Sequence, residues 1–182
     1  MILIGAFSFS LYSTEIGVVP KIGGGLSYIS GVQFPRSKFS YTIGASTIFH
    51  FSDFVFADIS LFYQKKGSWG KKMDFDVSYI SVPVTAGFLF IDELSLFAGP
   101  QINFLINAQY KGLDITSYTE PISFDIIFGA SYFFPFSTSR LMFELRFEFG
   151  VSDFSKSNNL YLVGIHKNRS AYLIMGYEFF IH

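Results

Sequence analysis

Residues 141–149 read Leu-Met-Phe-Glu-Leu-Arg-Phe-Glu-Phe, and their period of two constrains the fold more than any other feature of the chain. Leu141, Phe143, Leu145, Phe147 and Phe149 share one parity, while Glu144, Arg146 and Glu148 share the other. Successive side chains of an extended strand alternate between faces, so one face is apolar and the other charged. A helix would scatter the same charges around its circumference. The alternation recurs in 55–64, 80–88, 94–104, 124–132 and 173–179. It is weaker in the Gly-rich stretch 15–29, and in 39–51, where Tyr41, Ile43, Ala45, Thr47 and Phe49 share a face. Eight strands of about 11–15 residues are predicted, each long enough to cross a bilayer when tilted.

The expected connections alternate in length. Ser52-Asp53, 91–93 and 134–139 are short, whereas 30–38, 65–74, 108–121 and 152–168 are longer and polar. That layout predicts an all-β fold: an eight-stranded antiparallel up-and-down transmembrane β-barrel, with turns and both termini periplasmic and long loops extracellular. No stretch is long and apolar enough for a membrane-spanning helix. Of 182 residues, 50% are hydrophobic and only 15% charged, which excludes a disordered chain. A net charge of -1 gives no basic field for nucleic acid, and the absence of cysteine excludes disulfides and thiol chemistry.

Which face meets which solvent decides between a membrane barrel and a soluble one binding an apolar ligand. Here the apolar face carries mostly Phe, Leu, Ile, Val and Tyr, too bulky for a narrow eight-stranded lumen. The opposite face carries Gly, Ser, Thr, Asn, Gln and a few charges, small and polar enough to fill one. The apolar face is therefore expected in lipid. Two interfacial aromatic girdles are expected: Phe49, Phe51, Phe54, Phe88, Phe90 and Phe133 at the turn end, and Tyr28, Tyr41, Tyr63, Trp69 and Tyr110 at the loop end. The barrel is assigned to 15–182. Residues 1–14 are read as a signal-peptide remnant or an N-terminal arm, with an ordinary first strand as the alternative.

Five motifs, in order, then resemble one family. Tyr63-Gln64-Lys65-Lys66-Gly67, Tyr79-Ile80-Ser81-Val82-Pro83-Val84, Phe97-Ala98-Gly99-Pro100, Asp125-Ile126-Ile127-Phe128-Gly129 and Leu145-Arg146-Phe147-Glu148-Phe149-Gly150 resemble strands of the PorT-like outer-membrane β-barrel family of Bacteroidetes. Ser81 stands where that family commonly has a carboxylate. The resemblance implies an outer-membrane location, no known catalytic residues and no cofactor. Its named member works in the type IX secretion and gliding apparatus, a role that fold resemblance does not transfer.

The chemistry-bearing residues are few. Lys21, Asp58, Asp125, Glu144, Arg146, Glu148 and Glu178 are expected in the lumen as a charge network, because buried ions need partners. Arg146 is expected to bridge Glu144 and Glu148 and to reach Glu178 on the last strand. Such a lumen is plugged by ion pairs, which disfavours a general porin. Lys65, Lys66, Trp69, Lys71 and Lys72 are expected at the outer rim, either as a solvated loop that keeps the exposed end soluble or as a contact for lipopolysaccharide phosphates. His50, His166 and His182 lack any metal-ligand spacing, so no metal site is expected. The reading is a non-enzymatic scaffold, adhesion or secretion-accessory barrel. Its expected partners are outer-membrane lipids, the barrel-assembly machinery and a secretion complex. The rival is a lipid-modifying acyltransferase or deacylase, with His50 as base, Ser60 or Ser131 as nucleophile, and Asp58, Asp125, Glu144 or Glu178 as orienter.

Overall fold

The computed structural model describes residues 15–30, 36–70, 73–91, 93–136, 138–153 and 167–181. The segment 1–14 lies outside the described residues. Eight long strands form an antiparallel meander: β1 (Glu15–Ser30), β2 (Arg36–His50), β3 (Val55–Gly70), β4 (Met73–Ile91), β5 (Leu94–Tyr110), β7 (Ile122–Phe136), β8 (Ser139–Gly150) and β9 (Lys167–Ile181). A two-residue strand, β6 (Leu113–Asp114), folds back on β5. Each long strand pairs with its chain neighbours, and β9 returns to pair with β1, so the sheet closes without an edge. The expected fold class is the observed one.

The two faces separate as the alternation requires. Leu145 is 45% exposed while Arg146 beside it is 2% exposed. Leu145 opposes Ala130 on β7 and Leu173 on β9. Large apolar side chains such as Ile22, Phe39, Leu61, Leu96, Phe128 and Leu173 project outward. The packed interior is the lumen itself. No helix among the described residues is long and apolar enough to cross a membrane.

Several expected connections are shorter than the sequence suggested. The stretch 65–74 is not a loop, because β3 runs to Gly70 and β4 begins at Met73. Pairing continues from Tyr63–Ile80 up to Gly70–Met73. Polarity misled here: a hairpin projecting beyond the hydrocarbon loses its apolar face but keeps its ladder. Near the same end β2 is irregular between Ser37 and Tyr41. Ser27 of β1 spans that gap, its hydroxyl accepting from the Gly67 amide at 2.8 Å and donating to the Gly67 carbonyl at 2.9 Å. At the turn end the first connection covers 51–54, where the Ser52 hydroxyl accepts from the Phe54 and Val55 amides.

The segment after β5 is structured rather than a free loop. Lys111 and Gly112 both have positive φ (50° and 79°), the geometry of a two-residue hairpin whose twist matches the strands. A 3-10 turn at Thr116–Tyr118 follows and turns Ile115 into the top of the lumen. Ile115 donates its amide to the Ala108 carbonyl at 2.9 Å. Asp114 accepts from the Thr116 amide at 2.8 Å, and its bonds to Thr116 hold the carboxyl below its ordinary range.

Candidate functional site

The lumen is filled in layers. At the turn-end mouth His50 Nε2 lies 2.8 Å from Glu178 Oε1. The rings of Phe56 and Phe180 stand 6.2 and 6.0 Å from the imidazole. Above this pair sits an apolar layer of Val19, Ile48, Phe56, Leu89, Phe97, Phe133 and Met142.

A first charged layer follows. Lys21 Nζ contacts Asp58 Oδ2 at 2.6 Å and Glu144 Oε2 at 3.3 Å. Arg146 Nε donates to Glu144 Oε1 at 2.6 Å, and Ser60 donates to the other oxygen of Asp58 at 2.6 Å. The guanidinium lies over the Phe62 ring, 4.9 Å from its centre. Such stacking suits arginine, whose planar ion is weakly hydrated. A cavity of about 10 Å³ between the apolar layer and Arg146 holds at most one water.

In the second charged layer Lys66 Nζ sits 2.7 Å from Glu148 Oε2 and 3.1 Å from Asp125 Oδ2. Gln64 donates to Glu148 Oε1 at 2.8 Å, and Gln101 donates to Asn103 Oδ1 at 2.8 Å. Ser81 Oγ lies 2.7 Å from Asn103 Oδ1, and Asn103 donates to Ser123 at 3.3 Å. The loop end is closed by a second apolar cluster: Ile29, Phe75, Val77, Tyr79, Ala108 and Ile115. Lys66 lies beneath it, 5.7 Å from the centre of the Tyr79 ring.

The structure therefore revises several expectations. Asp58, Asp125, Glu144, Arg146 and Glu148 are all buried in the lumen, but they split into two layers. Glu178 is not a partner of Arg146. The β8–β9 register sets it opposite Arg140, and it pairs with His50 at the mouth. Lys66, expected at the rim, is 1% exposed and belongs to the second layer. Because β3 stays extended to Gly70, Lys66 keeps the parity of Asp58, Ser60 and Gln64. Carrying that alternation one step past Gln64 would have found it.

Lys65 does project outward, 3.9 Å from Asp76 Oδ1, and Trp69 is 55% exposed. Lys71 and Lys72 lie outside the described residues. Nor is the lumen face only small and polar. Phe133, expected in the lower girdle, shares the parity of Asp125 and Ser131 and is buried in the lower apolar layer. Phe56, Phe62, Phe97, Tyr79 and Tyr172 are lumenal too.

Of the residues predicted for acyl transfer, the structure brings together His50 and Glu178, a base and an orienter, without a serine nucleophile beside them: Ser60 donates to Asp58 in another layer, and the Ser131 carbonyl accepts from Ser95. Among the described residues no group of acidic and histidine side chains is arranged to hold a metal ion.

Comparison with known proteins places this geometry. The chain is similar in fold to the attachment invasion locus protein Ail of Yersinia pestis, solved with the heparin analogue sucrose octasulfate. The identity is 16%, coverage is 92% of this chain and 100% of that one, and the TM-score is 0.56. Neisserial surface protein A is 15% identical over 89% of this chain and 96% of that one, with a TM-score of 0.55. OprG of Pseudomonas aeruginosa is 8% identical over 94% and 98%, with a TM-score of 0.56. No curated protein sequence matches the chain. A family model, the outer membrane protein beta-barrel domain, matches residues 5–156. With the closed barrel and its apolar exterior, that match establishes that the chain belongs to the outer membrane protein beta-barrel domain family, proteins of the bacterial outer membrane.

Proposed function

We propose that this barrel is a non-enzymatic outer-membrane protein whose lumen serves stability and whose working surface is its exterior and loop end. It acts as a scaffold, adhesion or secretion-accessory element, with both termini periplasmic. The observation that carries this reading is the occlusion of the lumen by two apolar and two charged layers. Eight strands leave room for side chains rather than a wide channel, and here those side chains interlock. The acyl-transfer alternative needs a hydroxyl beside His50; Glu178 engages that imidazole as an orienter would, but Ser60 donates to Asp58 in the charged layer above.

One feature favours work at the loop end. The β3–β4 hairpin extends pairing to Gly70–Met73 and carries Lys65 and exposed Trp69 at the rim, where they would meet lipopolysaccharide. During biogenesis the aromatic end of β9 would be read by the barrel-assembly machinery. The test is reconstitution of the wild-type protein in planar bilayers, alongside incubation with labelled lipopolysaccharide. The expected result is no steady conductance and no acyl gain or loss. Ohmic channels, or acyl turnover abolished by His50→Ala, would overturn the reading.

A further inference from the structure

The lipid-facing wall is not uniform. On the face built from β8, β9, β1 and β2, outward side chains form registered rows. Phe143, Met175, Ile22 and Ile43 make one row, and Leu145, Leu173, Gly24 and Tyr41 the next. Phe147, Ala171, Leu26 and Phe39 follow, then Phe149, Arg169 and Tyr28 toward the loop end. Gly24 interrupts the second row and leaves an apolar groove of about 660 Å³, walled by Ile22, Phe39, Tyr41, Leu173 and Met175.

The glycines of this stretch are small for different reasons. A Cβ on Gly25 would strike the backbone of Ala171 and Tyr172, and one on Gly23 would strike Leu173 and Ile174. Close approach of β9 therefore requires both. A Cβ on Gly24 would meet only the edge of the Phe39 ring, at 3.4 Å, an ordinary contact. Nothing in the barrel's own packing demands glycine at 24, yet its lack of a side chain opens the groove.

Charge is placed above it. Arg169 is exposed and lies over the Phe149 ring, 5.3 Å from its centre. It stands two rows above Gly24, roughly 13 Å at about 3.3 Å per residue. Lys167 is next along β9, paired with Ser30, and Arg36 is exposed at the start of β2. Lys38 is neutralised by Asp74 and Asp76, both at 2.7 Å. Asp153, an acid just after β8 at the same end of the barrel, also makes an interaction of its own and is not counted among the groups on these strands. Among the described residues, the outward charged groups at the loop end of β1, β2 and β9 are all cations: Arg36, Lys38, Lys167 and Arg169.

A second groove of about 710 Å³ runs over β3, β4, β5, β7 and β8, lined by Val55, Phe88, Ala98 and Phe128 and bordered by Leu145 and Phe147, with no ionisable residue in its lining. It provides a built-in comparison: a recess that any acyl chain fills.

We infer that the β8–β9–β1–β2 face is a docking site for a phosphorylated, multiply acylated glycolipid of the outer leaflet, with its phosphate on Arg169 and Lys167 and one acyl chain in the Gly24 groove. The inference rests on the proposed orientation, loops outward. Its chemistry is complementary at both ends. Cations at an anionic membrane surface favour the phosphate, and the groove favours a chain hanging one acyl length below it.

The test uses full-length barrel in phosphatidylcholine nanodiscs doped with bis-phosphorylated lipid A, with retained lipid counted by native mass spectrometry. Wild type should retain lipid A in preference to its dephosphorylated form. Arg169→Gln should reduce that retention about fivefold, the effect of one basic residue near an anionic surface. Gly24→Leu should reduce it by filling the groove, while Ala98→Leu in the comparison groove should leave it unchanged. Each variant is first checked for heat-modifiable gel migration. Should Gly24→Leu fail to assemble, Arg169→Gln and the dephosphorylated lipid decide the matter. Equal retention of both lipids, or of lipid A by wild type and Arg169→Gln, overturns the site. A wild-type barrel without heat-modifiable migration would instead overturn the functional reading beneath it.

Discussion

Arg146 and Leu145 are chain neighbours in opposite solvents, and substitutions at each fail by different physics. Leu145→Arg puts a permanent charge in hydrocarbon, at about 2–4 kcal/mol near mid-membrane, whereas Leu145→Ala should be nearly silent. Arg146→Leu leaves Glu144 only its longer contact with Lys21, which Asp58 shares, and should cost about 3–5 kcal/mol, because one partner of a buried pair is lost. Adding Glu144→Gln to it should recover part of that loss. Urea unfolding in lipid vesicles reads all four variants. If Leu145→Ala proves severe and Leu145→Arg is tolerated, the two faces are reversed. The adjacent lysines give a second contrast. Lys66→Met removes the only cation touching Asp125 and Glu148 among the described residues and should cost about 3–5 kcal/mol. Lys65→Met breaks only a half-exposed pair with Asp76, about 0–1 kcal/mol by the same assay.

At the scale of one strand, β9 closes the barrel. It pairs with β1 from Ile16–Ile181 to Ser30–Lys167, and with β8 from Ser139–Phe179 to Phe149–Arg169. Its turn end carries Tyr177 and Phe179, whose rings stack edge to face at 4.8 Å. Deleting 177–182 removes the partners of Ile16, Gly17 and Val18 and exposes edges on both sides of the seam. The truncated chain should remain unassembled in the periplasm, as a protease-sensitive species without heat-modifiable migration. Normal assembly of that truncation would mean that closure does not depend on this end of β9. The β3–β4 hairpin teaches the complementary lesson. Its upper half looked like a loop because lysine and glycine replace the apolar face, yet backbone pairing is indifferent to which solvent the face meets.

For the whole molecule the layering sets the consequence. Conduction needs a continuous water path, and four layers each interrupt it. Phe56→Ala with Phe133→Ala thins the lower apolar layer but leaves Lys21, Asp58, Glu144 and Arg146 interlocked above it. That double variant should lose stability, about 3–5 kcal/mol for each buried ring removed, and still show no steady current in planar bilayers. Ohmic channels from it would show that the charged layers are too loose to seal.

What the chain determines by itself is parity. A period of two assigns each residue to a face, and repetition of that period, with turn residues between, determines strand number and antiparallel closure. Leu145 outward and Arg146 inward were legible in that way, and so, with the alternation followed further, were Lys66 and Phe133. Parity carries no height. Strand tilt and stagger in a closed barrel decide which inward residues share a layer. Lys21 meets Asp58 from 37 positions away and Glu144 from 123. Glu178, assigned to Arg146 by adjacency of their strands, sits at the mouth because the β8–β9 register puts it opposite Arg140. The pairing of the charges, the apolar layers that seal the lumen and the recess at Gly24 are properties of register and closure, which exist only once the last strand has met the first.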